Sequence, residues 1–190
     1  MKFFRDRINL IKTARWKFVI LRGTEIALPV RRPWKNFSTA GRDFEKEGQM
    51  ADKIWVADDD LFYRKLISEV LTSYGYDVMA MHDGTHLLGV LEEESPELIV
   101  LDVFMARKSG IELLEEMNRL FETRGEDRIP VIMITGDDSR ETEIAARQAK
   151  ADFFLLKPFS GQELYEVVYR MIKEKKRRRC LKEKKGLKSD

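Results

Sequence analysis

The 190-residue chain is 43% hydrophobic and 36% charged, enough for one good core, and no run of about 18 apolar residues offers a membrane-spanning helix. Cys180 is its one cysteine, which excludes an intrachain disulfide and fits a reducing, cytoplasmic location. The net charge of +2 hides a segregation: Lys and Arg outnumber Asp and Glu by 12 to 5 over residues 1–49, fall short by 13 to 25 over 50–172, and lead again by 10 to 3 over 173–190.

Residues 1–49 form a basic N-terminal extension, with Phe4, Ile8, Ile11 and Phe18 near one face of an amphipathic stretch and Pro29 and Pro33 as breakers. Three readings stay open for it: a membrane- or partner-binding arm, a transit-like segment, or the product of a start codon chosen too early. The last draws on Lys46-Glu47-Gly48, which a ribosome-binding sequence can encode just ahead of Met50.

From Lys53 onward, short apolar runs alternate with helical patterns. The runs are 54–57, 78–81, 98–101, 131–134 and 153–156, the second being the weakest strand. The helices between and after them are marked by Leu66 to Tyr74, by Leu87, Leu88 and Leu91, by Ile111, Leu114 and Met117, by 144–149, and by Leu164 to Ile172. Asp60, Ser139 and Ser160 are candidate N-caps. Near-continuous hydrophobic strands imply a sheet buried on both faces, hence a flavodoxin-like, doubly wound α/β fold with five parallel strands in the order 2-1-3-4-5. Its ligand crevice lies at the carboxyl ends of the strands.

The residues just past the strands are Asp58 and Asp59, then Asp102, Thr135 and Lys157. Each alone has an ordinary reading as a cap, a turn residue or a solvated charge. Together they converge on one crevice, where three carboxylates repel unless a hard divalent cation joins them, and Mg2+ suits such an oxygen-only set. Asp102 is the expected nucleophile, ionised at neutral pH without a base. Lys157 and the Thr135 hydroxyl would meet an incoming phosphoryl group. His82 and His86 stand apart and read as surface residues beside a turn at Asp83 and Gly84.

The segments IWVADDDLFYRKLI, PELIVLDVFMARKSGIELL, IPVIMITG and ADFFLLKPF make residues 50–172 resemble the receiver domain of bacterial two-component response regulators. The resemblance implies that Asp58 and Asp59 bind Mg2+ together with Asp102 and the backbone carbonyl of Phe104. It implies that Asp102 is phosphorylated by a sensor histidine kinase or phosphotransfer protein, that Lys157 contacts the phosphoryl group, that Thr135 and Phe154 form a switch pair, and that Pro158 is cis. The expected protein is a single-domain regulator, not an enzyme in the ordinary sense, that catalyses only its own phosphorylation and slow dephosphorylation. Its downstream partner would read the face of the fourth helix, fifth strand and fifth helix, with a homodimer left open. Three positions depart from the usual pattern: Ala106 stands for a frequent proline, Gly136 for alanine, and Lys150 for glycine.

Phe104 is expected to shield the phosphoryl group from water, and Asp137 to turn toward solvent. The tail 173–190 continues the last helix, and its basic residues suggest nucleic acid or a membrane surface only weakly against a frayed, solvated extension. Two alternatives remain: an aspartate-nucleophile phosphatase using Asp58, and a degenerate adaptor that is never phosphorylated.

Overall fold

A computed structural model describes residues 17–21, 24–28 and 51–186. The chain divides into two units at Gln49 and Met50, each with its own sheet. In the first, β1 (Lys17–Leu21) and β2 (Thr24–Leu28) pair antiparallel, with Lys17 opposite Leu28. Phe18 therefore lies in a strand, which corrects its assignment to a helix-like amphipathic stretch: Phe-Val-Ile joins an aromatic to two β-branched residues, all strand-favouring. Phe4, Ile8, Ile11, Pro29, Pro33 and the 46–50 segment lie outside the described residues.

In the second unit, β3 (Lys53–Ala57), β4 (Asp77–Met81), β5 (Leu98–Asp102), β6 (Val131–Thr135) and β7 (Phe153–Leu156) form one parallel sheet in the order β4-β3-β5-β6-β7. This is the 2-1-3-4-5 arrangement expected from the sequence. Five helices cover it: α1 (Leu61–Ser73), α2 (Leu87–Glu93), α3 (Gly110–Arg124), α4 (Arg140–Gln148) and α5 (Gly161–Gly186).

Alternate residues of the central strands enter two cores, which is why their sequences read as unbroken apolar runs. Trp55, Ile99, Leu101, Val131 and Met133 pack with α2, α3 and α4. Ile54, Val56, Leu98, Val100, Ile132 and Ile134 pack with Ile67 and Leu71 of α1 and Leu164, Val168 and Ile172 of α5. The expected caps are present: Asp60 accepts from the Phe62 amide, Ser139 from Thr142 and Ser160 from Glu163. Ser109, unread in the sequence, forms a complete capping box with Glu112 at the start of α3, and its S-x-x-E spacing was the available signal.

The last helix does not fray after Ile172. It continues to Gly186 along the amino ends of the strands, where Lys175 reaches Glu97 (3.0 Å), Lys176 reaches Asp52 (2.6 Å), Arg179 reaches Glu97 (3.3 Å) and Lys182 pairs with Asp127. Lys175 also donates to the carbonyl oxygens of Pro96 and Glu97. Among the described residues, no helix is long and apolar enough to cross a membrane.

Candidate functional site

The carboxyl ends of β3, β5, β6 and β7 bring Asp58, Asp59, Asp102, Thr135 and Lys157 together. Carboxylate oxygens of Asp58, Asp59 and Asp102 all lie within 4.8 Å of one another. Asp58 and Thr135 are fully buried and Asp102 is 4% exposed, while Asp59 sits on the exposed rim. The Lys157 ammonium bridges the two buried acids, 2.8 Å from Asp58 Oδ2 and 2.9 Å from Asp102 Oδ1.

One ammonium does not satisfy three carboxylates. Burial pushes Asp102 up to about 6, against the lowering pull of Lys157, and the neighbouring Asp58 and Asp59 raise it further. Burial likewise raises Asp58 above its ordinary value despite Lys157. Asp58 Oδ1 accepts from the Asp60 amide, but Oδ2, for all its closeness to Lys157, takes no well-directed hydrogen bond. Burial pulls Lys157 down, but its close polar and charge contacts with both acids leave it above its ordinary value. A buried, under-compensated oxygen cluster fits a hard divalent cation: all-oxygen donors, converging, with charge to neutralise.

Several groups that the sequence did not single out hold this arrangement. Arg64 Nη1 donates to the carbonyls of Asp58 (2.6 Å) and Asp59 (3.3 Å), bracing the turn that carries both. The Ala106 amide donates to Asp59 Oδ2 at 3.1 Å. The proline frequent at that position has no N–H, so this tether exists because of the departure noted above. The Lys157 ammonium rests 4.4 Å from the centre of the Tyr63 ring. Gly110 lets α3 begin against β5: a Cβ there would fall 2.0 Å from the Asp102 carbonyl oxygen. Arg64 and Gly110 stand within the motifs that carry the resemblance, but their contacts are long-range and leave no local pattern.

The remaining expected residues are placed as follows. Thr135 Oγ1 accepts from the Asp137 amide. Phe154 is half-buried against the core of α2, α3 and α4. The Lys157–Pro158 bond is cis. Phe104 is 56% exposed on the loop after Asp102. Asp137 turns not to open solvent but into the cap of α4, accepting from Ser139 and from the Thr142 hydroxyl, and the Thr142 and Ser139 hydrogen bonds hold its carboxyl below its ordinary value.

Residues 54–169 match the family model described as the response regulator receiver domain. The chain is 33% identical over 133 residues to the regulatory protein VirG of Agrobacterium tumefaciens, a match that covers 68% of this chain and 48% of that protein. It is 36% identical over 113 residues to the transcriptional regulatory protein CpxR of Klebsiella pneumoniae, covering 60% and 46%. The chain thus spans about half the length of the curated relatives it matches. Among solved structures, a CheY-like receiver domain protein from Methanospirillum hungatei superposes with a TM-score of 0.61 at 26% identity, over 67% of this chain and 98% of that one.

Proposed function

The chain belongs to the response regulator receiver domain family, and from that premise we propose that Asp102 takes a phosphoryl group from the phosphohistidine of a sensor kinase or phosphotransfer protein. The observation that carries this reading is the Asp58, Asp59 and Asp102 cluster with Lys157 bridging its two buried members. An Asp102 carboxylate oxygen forms the new bond to phosphorus as the phosphorus–nitrogen bond of the donor breaks.

Mg2+ held by Asp58, Asp59, Asp102 and the Phe104 carbonyl would neutralise charge on the transferring group. Lys157 would shift its ammonium from the Asp102 carboxylate to a phosphoryl oxygen. The Thr135 hydroxyl, now an acceptor from Asp137, keeps its own proton free to donate to that oxygen. Phosphorylation adds a charge of about −1.5 to −2 at Asp102, which would draw Thr135 toward the site and let Phe154 turn inward. The chain's catalysis is confined to its own phosphorylation and slow dephosphorylation.

The working unit is residues 50–172, with 173–190 as an extension of its last helix and 1–49 as a separate basic segment, and it acts in the cytoplasm. Its output would pass to a protein partner at the face of α4, β7 and α5, where Ile144, Leu156 and Tyr169 are all exposed apolar residues. Nucleic acid or membrane contact through the basic ends is the weaker reading, because Lys175, Lys176, Arg179 and Lys182 are already paired within the fold. The test is incubation with Mg2+ and acetyl phosphate, then intact and peptide mass spectrometry. One hydroxylamine-sensitive phosphate at Asp102, lost in Asp102→Asn, supports the assignment, and labelling of that variant at an unchanged rate would refute it.

A further inference from the structure

The three acids at the carboxyl end of the sheet are not held alike. Asp58 Oδ1 accepts from the Asp60 amide and its Oδ2 faces Lys157, while Asp102 Oδ1 accepts from Lys157 at 2.9 Å. Both acids are buried, so packing limits the angles their carboxyls can take. Asp59 sits on the exposed rim, where a side chain keeps its rotamer freedom unless a partner fixes it. Arg64 braces only its backbone carbonyl. Among the described residues, the Asp59 carboxylate takes one hydrogen bond, from the Ala106 amide to Oδ2 at 3.1 Å.

That amide stands on a firm base. Met105, to which it is joined, is 8% exposed and belongs to the core beneath α2 and α3. Its Cε lies against Gly84, where a Cβ would fall 3.2 Å away. On the other side, Arg107 Nε faces the carboxylate of Asp83, an acid only 3% exposed, at 3.8 Å. The loop after β5 is thus pinned on both sides of the Ala106 N–H, and the same loop carries Phe104. A donor fixed by buried neighbours can hold a surface carboxylate in one place.

We infer that Ala106 is a positioning residue for the cation site: its backbone amide fixes Asp59 beside Asp58 and Asp102 before an ion arrives, and ties the turn that supplies Asp59 to the loop that supplies the Phe104 carbonyl. This role presupposes that the acidic cluster is the Mg2+ site described above. It belongs to this chain in particular, because the proline frequent at that place in the family has no N–H to give. Holding the carboxylate in advance lowers the ordering cost of binding, and a donor on one oxygen leaves the other for the ion. Hydrogen-bond partners of metal ligands are worth about 10–100-fold in affinity, and this exposed one falls at the low end.

The test is a Mg2+ titration of the full chain followed by amide NMR. The Ala106 amide should exchange slowly with solvent in wild type before Mg2+ is added, and fast in Asp59→Ala. Ala106→Pro should need on the order of tenfold more Mg2+ for half-saturation, whereas Ala106→Ser, which keeps the N–H, should titrate like wild type. Three results would each overturn the positioning role while leaving the Mg2+ site standing: a proline variant that binds as tightly as wild type, a serine variant that binds as weakly as the proline variant, or an Ala106 amide that exchanges as fast in wild type as in Asp59→Ala. A wild type without a saturable response to Mg2+ would remove the site and the role together. If proline disturbs the loop more widely, seen as loss of the Ser109 capping-box signals, the exchange comparison decides.

Discussion

The two ends of the central sheet carry similar groups under opposite conditions. At the carboxyl end, Asp58 and Asp102 share the single ammonium of Lys157 with Asp59 close beside them, and burial raises both of the buried pair. At the amino end, Asp52, Glu97 and Asp127 meet Lys175, Lys176, Arg179 and Lys182 from α5 in partly solvated pairs. Glu97 there pays a burial cost too, but Lys175 and Arg179 outweigh it and hold the carboxyl below its ordinary value. The contrast separates a fastening from a site: one end has supplied its own counter-charge, and the other is left short of it by an amount that a divalent cation can provide.

The largest effect that would sharpen this contrast comes from deleting a lysine at each end. Lys157→Ala leaves two buried carboxylates unpaired and is expected to cost about 3–5 kcal/mol of stability in metal-free buffer near pH 7.5. Lys175→Ala, at a partly solvated pair where Arg179 still faces Glu97, should cost about 1 kcal/mol. Urea unfolding of both variants checks the ranking, and equal losses would remove the distinction.

Next in size is Asp102→Asn, expected to stabilise the metal-free protein by on the order of 2 kcal/mol at pH 7.5, since a shift of one unit corresponds to about 1.4 kcal/mol. The pH dependence fixes the sign. Because the folded value of Asp102 is raised from 3.8 to about 6, its contribution is fully present below the unfolded value and is lost as pH rises through about 6. The advantage of the Asn variant should therefore vanish toward pH 4. Glu97, whose folded value is lowered, behaves oppositely: its contribution is present above its unfolded value and is lost as pH falls through the folded one. Unfolding midpoints of wild type, Asp102→Asn and Glu97→Gln across that range would show two opposite slopes. A common slope would break the comparison.

Removing residues 173–190 should lower stability by about 1–2 kcal/mol, the sum expected of several partly exposed pairs, while leaving phosphorylation of Asp102 unchanged. A truncated chain that loses labelling would mean the two ends are coupled. The smallest effect is expected at Lys150, which holds a φ of +65° just ahead of β7. Lys150→Gly should relieve that backbone conformation by up to about 1 kcal/mol, less what is lost with its exposed pair to Glu122. A thermal melt is sensitive enough to detect it.

These regions also differ in how far their sequence betrays them. The site was legible because strand ends are marked by the switch from an apolar run to Asp, Thr or Lys, and a parallel sheet sends those ends to one crevice. The fastening was not, because Lys175 and Glu97 are 78 residues apart in sequence, and a run of Lys and Arg looks the same whether it is solvated or docked. The same limit hid the Arg64 brace, the burial of Asp83, and the Ala106 amide bond to Asp59. The glycine usual at position 150 and the proline usual at 106 were noticed only as departures. The structure supplies their meaning as a left-handed backbone and a free N–H.

The most direct test of the claim that the carboxyl end lacks one cation is the dependence of stability on Mg2+ at pH 7.5. A ligand present at 100 times its Kd stabilises the folded state by about 2.7 kcal/mol. Wild type and the chain lacking residues 173–190 should both gain stability of this order as Mg2+ saturates, and Asp59→Ala should gain little. A wild type whose unfolding midpoint ignores Mg2+, or an Asp59→Ala variant that gains as much as wild type, would contradict the account.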